Sequence, residues 1–176
     1  MKQILLFVFL LPVSLFAQYF SIHQLVEAQQ QPLEYLNTLA WQQSWVVKSQ
    51  NRGTETTLDN ITYLRYTQMS ATDTDQAEET LTCYYSNKTS RLLYKVHDKK
   101  VFKSLMKEIS YMGFRKKDNV FHKNYSKQVF TSPAFILIVE ANETVKVRPS
   151  YFFTLYNSDD YVTMQSKNNE TLVSNR

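Results

Sequence analysis

Glycine is almost missing from this chain. Only Gly53 and Gly113 occur in 176 residues, sixty positions apart. A phosphate-cradling loop and a nucleophile elbow both need clustered glycines, so both are excluded. Cysteine is rarer still. With Cys83 alone, no intramolecular disulfide can form. A chain of this length buries a core without such staples, and an exported protein without disulfides suits a bacterial periplasm. Cys83 lies between Thr82 and Tyr84 in an alternating run. It reads as a small buried hydrophobe rather than a reactive thiol. The three histidines, His23, His97 and His122, have no ligand-type partner at helical spacing. Neither a metal site nor a cofactor is expected. Asp73-Thr74-Asp75 with Glu78 and Glu79 lacks the glycine and spacing of a calcium loop.

Long apolar runs are also scarce. Ile4 to Leu11 follows Lys2 and precedes Pro12, Ser14 and Ala17. This run is shorter than the ~20 residues of a spanning helix. Residues 1–17 therefore read as a signal peptide cleaved near Ala17–Gln18, with a membrane anchor as the alternative. No transmembrane segment is expected in the mature chain. Export would place the protein in the periplasm or outside the cell, so nucleic acid is not an expected partner. Five Asn-x-Ser/Thr sites, at Asn60, Asn87, Asn124, Asn142 and Asn169, read as chance in an Asn- and Thr-rich chain.

What is abundant is amphipathic pattern. Asp98 suits an N-cap, and Val101, Phe102, Leu105, Met106, Ile109 and Met112 follow at helical spacing. Gly113 stands where a left-handed residue stops a helix, and Phe114 can fold back on Ile109. Ser21 with Gln24 matches a capping box, and Phe20 with Leu25 a hydrophobic staple. Leu33, Leu36, Leu39 and Ala40 continue the spacing beyond Pro32, which predicts a kinked helix or a tight pair over Ser21–Ala40. From Trp45 the period becomes two. Strands are expected at Trp45–Val47, Ile61–Gln68, Thr80–Ser86, Arg91–His97, Val120–Tyr125, Phe135–Glu140 and Tyr151–Tyr156. Loops or turns are expected at Asn51–Gly53, Ser70–Gln76, Asn87–Lys88, Lys117–Asn119 and Asn142–Glu143. Phe135 to Val139 is apolar on both faces and so belongs inside a sheet.

Helix followed by antiparallel strands occurs twice. The expected fold class is α+β, with helices packed on one side of an antiparallel sheet as two pseudo-repeated helix-plus-strands units. The units span residues 18–97 and 98–165, and residues 166–176 form a polar tail. This element order resembles the β-lactamase inhibitor protein family. The Phe-Ala-Gln ending of the leader, the Met-Gly-Phe helix stop and the Tyr-rich strands resemble small uncharacterised exported proteins of Gram-negative bacteria.

Charge is uneven. Ten basic and three acidic residues between Lys95 and Lys127 leave that stretch at +7 within a total of +4. Lys99, Lys103 and Lys107 recur every four residues, on one stripe of a helix, and Arg115, Lys116 and Lys117 follow it. These six form a candidate patch for an anionic envelope component or an acidic protein, against the plainer reading of a solvated helix face. No motif marks catalysis. The expectation is an exported, non-enzymatic binding or interaction protein with a Tyr- and Phe-rich sheet face. The alternatives are a small exported hydrolase with a dispersed site and a structural envelope component.

Overall fold

A computed structural model describes residues 19–54, 57–66, 77–86, 89–144 and 148–165. The expected leader at residues 1–17, loop at 70–76, turn at 87–88 and tail at 166–176 lie outside the described residues.

The first helix, α1, spans Ile22–Gln30, with Ser21 and Gln24 closing a full capping box. At its other end the chain turns through Pro32, whose missing N–H leaves no donor to satisfy, into α2 at Leu33–Gln42. The sequence had left a kinked helix and a helix pair open, and the pair is what forms. Strands β1 (Val46–Asn51), β2 (Asp59–Arg65), β3 (Glu79–Tyr85) and β4 (Ser90–Val96) follow. In α3, Lys99–Tyr111, the Asp98 carboxylate accepts from the N–H groups of Lys100 and Val101. Gly113 then adopts φ +77°, the left-handed stop expected of it. The chain ends its described part with β5 (Arg115–His122), β6 (Tyr125–Thr131), β7 (Phe135–Asn142), β8 (Ser150–Asn157) and a helical run over 158–165.

The expected fold class needs correction. The eight strands form one antiparallel sheet in the order β1-β2-β3-β4-β8-β7-β6-β5. Strand makes up 45% of the described residues against four short helices, so this is a single large sheet and not two helix-plus-strands repeats packed together. The physical reason lies at the middle of the sheet. Strand β4 pairs with β8 from Arg91↔Tyr156 to Val96↔Tyr151, so backbone hydrogen bonds run continuously across what the element order suggested was a boundary.

Local expectations differ most in three places, beyond β1 running on from Val47 to Asn51. The strand expected at Val120–Tyr125 begins at Arg115, and the turn expected at Lys117–Asn119 is a bulge within it. The actual turn is at Lys123–Asn124. Polar side chains at an exposed edge imitate a turn, because such a strand need bury neither face. Strand β6 was not anticipated, since Ser126, Lys127 and Gln128 hide the alternation around Val129 and Phe130. The helical run over 158–165 was also unanticipated, its first turn being Ser158-Asp159-Asp160.

The core lies on one face of the sheet. Ile61, Leu81, Cys83, Leu92, Tyr94, Val96, Leu137, Val139, Tyr151, Phe153 and Leu155 are buried there with Ile22, Leu25, Leu36, Leu105 and Ile109 from the helices. Phe20 meets Trp45 at 4.8 Å between ring centroids, and Trp45 meets Tyr94 at 6.1 Å. Phe102 of α3 stacks on Tyr151 at 4.2 Å. Burial raises the Cys83 thiol to about 11, so it stays protonated and packs as a small apolar group.

Candidate functional site

The sheet has a second face, read directly from its register. Three lines of side chains cross it at right angles to the strands. One line is Lys95, Phe152, Glu140 and Lys127, on β4, β8, β7 and β6. The middle line is Thr82, Leu93, Thr154, Ile138 and Val129. The third is Tyr84, Arg91, Tyr156, Ile136 and Thr131. Ile138 is buried, while Leu93, Phe152, Thr154 and Tyr156 are half-buried. A strand with one face in the core would normally turn polar residues outward here. This one turns out aromatic and aliphatic groups.

Tyr84, Arg91, Leu93, Glu140, Phe152, Thr154 and Tyr156 line an open depression of about 380 Å³ on this face. Three of the lining residues are aromatic, Tyr84, Phe152 and Tyr156, and Leu93 is aliphatic. At one end, Arg91 donates from Nε and Nη2 to Asp160 at 2.5 and 2.9 Å, a two-pronged contact. That hydrogen bond outweighs partial burial and keeps the guanidinium firmly protonated. Arg91 also lies 5.9 Å from the Tyr156 ring centroid, and Tyr161 meets that ring edge-on. So the helix at 158–165 is fixed to the rim of the depression by one ion pair and one aromatic contact. At the other end, the Tyr125 hydroxyl donates to Glu140 at 2.6 Å. This bond raises the phenol to about 12. Lys127 Nζ stands 3.9 Å from the same carboxylate, and Lys95 Nζ lies 5.7 Å from the Phe152 ring centroid.

The six residues singled out from the sequence lie elsewhere. Lys99, Lys103 and Lys107 are exposed on the outer stripe of α3, whose inner stripe packs into the core. Lys99 donates to Glu143 at 2.9 Å, so one charge of the stripe is compensated within the chain. No described carboxylate pairs with Lys103 or Lys107. Arg115, Lys116 and Lys117 do not crown the helix end. They open the edge strand β5, where every residue is exposed, and Lys116 Nζ sits 5.5 Å from the Phe121 ring centroid. Among the described residues, no group of three or more His, Cys, Asp or Glu could hold a metal ion. No described helix is long and apolar enough to cross a membrane.

The sequence led to a Tyr- and Phe-rich sheet face but not to the depression, because its residues come from four strands whose pairing no single alternation reveals. A signal was present. Leu93 and Phe152 occupy outward positions in runs whose inward positions are already apolar. A second omission is Glu79, which is 2% exposed on the core face. It accepts from Arg65, its cross-strand neighbour, and from the Tyr94 hydroxyl. The period of two that places Leu81 and Cys83 inward also places Glu79 there. Comparison with protein-family models, curated proteins and solved structures returns no match to this chain.

Proposed function

We propose that the chain is an exported binding protein whose recognition surface is the second face of the sheet. One observation carries the reading: an open depression of about 380 Å³ whose lining joins three aromatic rings, Tyr84, Phe152 and Tyr156, and Leu93 with a cation, Arg91, and an anion, Glu140. Large rigid rings supply contact area, and this is the composition favoured where proteins meet. Arg91 and Glu140 are each held by a neighbour in the same chain, Asp160 and Tyr125. They are fixed in place as orienting charges, whereas a catalytic acid or base must be able to reach a reacting proton. The partner that fits is a protein loop presenting an apolar side chain flanked by charges of both signs. The apolar run at residues 4–11 behind Lys2 supports export.

The test is affinity capture from the envelope and culture-medium fractions of the producing cell. Parent protein, Thr154→Arg and a Lys103→Gln/Lys107→Gln pair serve as baits, each first shown to melt like the parent. The expected result is a partner retained by the parent and the lysine pair and lost with Thr154→Arg. Capture that survives Thr154→Arg would move recognition away from this face.

A further inference from the structure

We infer that the side of the molecule carrying α3 and β5 docks on an anionic lipid surface, with Tyr111 and Phe121 entering the headgroup layer. The two elements share a side of the sheet. Phe121 is in register with Ser126, Ser126 with Ala141 and Ala141 with Tyr151. Tyr151 is the residue on which Phe102 of α3 stacks. Lys100, Lys103 and Lys107 on α3 and Lys116 on β5 are exposed on this side. Tyr111, at the end of α3, is 88% exposed and Phe121 is 61% exposed. Single exposed aromatics are ordinary. Aromatics set beside lysines are the composition of a headgroup-level contact, where the ring enters the interface and the ammonium stays with the phosphates. The Lys116 ammonium over the Phe121 ring already places the two groups together.

The acids on α3, at its cap and beside Lys99 are engaged by the chain itself. Glu143 holds Lys99, Glu108 accepts from the Ile22 N–H at 2.8 Å, and Asp98 caps α3. The remaining cations therefore face outward uncompensated by described carboxylates. Because the apolar stripe of α3 is spent on the core, the helix cannot sink into the bilayer. Binding must rest on charge and on two rings, and so be reversible and strongly dependent on salt. The proposal is independent of the recognition face, which lies on the opposite side of the sheet. A molecule held through α3 and β5 would present that face away from the lipid.

Co-sedimentation of the full exported protein with vesicles tests this. Phosphatidylglycerol–phosphatidylethanolamine vesicles should bind the parent at low salt and release it as salt rises, and phosphatidylcholine vesicles should not bind it. Lys103→Gln/Lys107→Gln should weaken binding on the order of 25-fold, about fivefold for each lysine near the surface. Lys48→Gln/Arg52→Gln removes the same charge at the far edge of the sheet and should leave binding near the parent value. Tyr111→Ser/Phe121→Ser should weaken the part of the binding that resists salt. In a preparation that retains residues 4–11 they are common to all variants, so binding through them would leave every variant alike and overturn the assignment. Equal binding to phosphatidylcholine, equal loss in the two charge pairs, or retention of soluble polyphosphate or an acidic protein without retention of vesicles would overturn it too.

Discussion

At Glu79 a carboxylate sits inside an apolar core with one guanidinium and one phenol for company. Its side chain is 3% exposed and that of Arg65 is 16% exposed. Burial pushes the Glu79 carboxyl up against the pull of Arg65 and Tyr94. Burial alone would lower Arg65, but its bond to Glu79 wins and the guanidinium stays charged. Glu79→Ala leaves that cation only the more exposed Glu78 carboxylate at 3.4 Å and should cost about 3 kcal/mol. Replacing both partners, as Arg65→Met/Glu79→Leu, should recover most of the loss in urea denaturation. A single variant as stable as the parent would show that the pair is not held as described. His97 has the opposite sense of shift. Burial holds it below its ordinary 6.5, although the Pro149 carbonyl at 2.7 Å favours the protonated ring. The unfolded chain thus takes up this proton first as pH falls. Stability from His97 is complete above about 6.5 and is lost on acidification through the lowered value. Glu79, with its pKa raised, gives stability that declines as pH rises above 4.5. The two are separated by comparison. His97→Asn should flatten the fall in melting temperature just below pH 6.5 relative to the parent, and parallel curves would remove His97 as its source.

Among the elements, the stop after α3 and the two edge strands are the parts most exposed to a single change. A Cβ at Gly113 would meet no atom within 4 Å, so the constraint there is the φ of +77° and not space. Gly113→Ala should cost about 1–2 kcal/mol from the left-handed backbone alone, and Gly113→Val more, because a branched Cβ narrows that region further. Gly113→Asn should cost least. Thermal unfolding of the three variants in that order supports the stop, and equal stability would refute it. The edges are guarded in the same way at both ends of the sheet. Pairing skips Lys48 in β1 and Lys117 in β5, each the extra residue of a bulge. A bulge twists the strand away from a flat partner and a lysine charges it. Beside Lys48, Val46 and Val47 are 50% and 58% exposed, which is the surface such a guard protects. Deleting Lys48 should restore a regular edge and produce concentration-dependent association, read by light scattering. A monodisperse deletion variant would remove the bulge from that role.

For the molecule as a whole, the strand order places the last described strand, β8, beside the fourth, so neither half closes its own ladder. Phe20 and Trp45 from the first half reach Tyr94, which reaches Phe153 from the second at 6.3 Å. Continuous hydrogen bonding and a shared aromatic cluster predict one cooperative transition. Tryptophan fluorescence, which reports residues 41 and 45, and far-ultraviolet dichroism, which reports the whole sheet, should coincide in urea. Separated midpoints would show that the halves unfold independently. The same order puts α3 and the uncovered face of β5 on one side of the sheet and the depression on the other.

The sequence by itself determined what local chemistry governs. The capping box at Ser21, the Asp98 cap, the Gly113 stop, the inward stripe of α3 and the inward sides of β3 and β4 all follow from propensity and period. These depend on neighbours three or four positions away, or two in a strand, and so are legible in one dimension. Tertiary structure alone decided the rest. The pairing of β4 with β8, the burial of Glu79 against Arg65, the reach of Asp160 to Arg91, and the joining of Tyr84 with Phe152 and Tyr156 around one depression all unite residues far apart in the chain. Such contacts depend on which backbone groups and apolar faces are left unsatisfied once local structure has formed. That remainder is a property of the assembled sheet and of no segment within it.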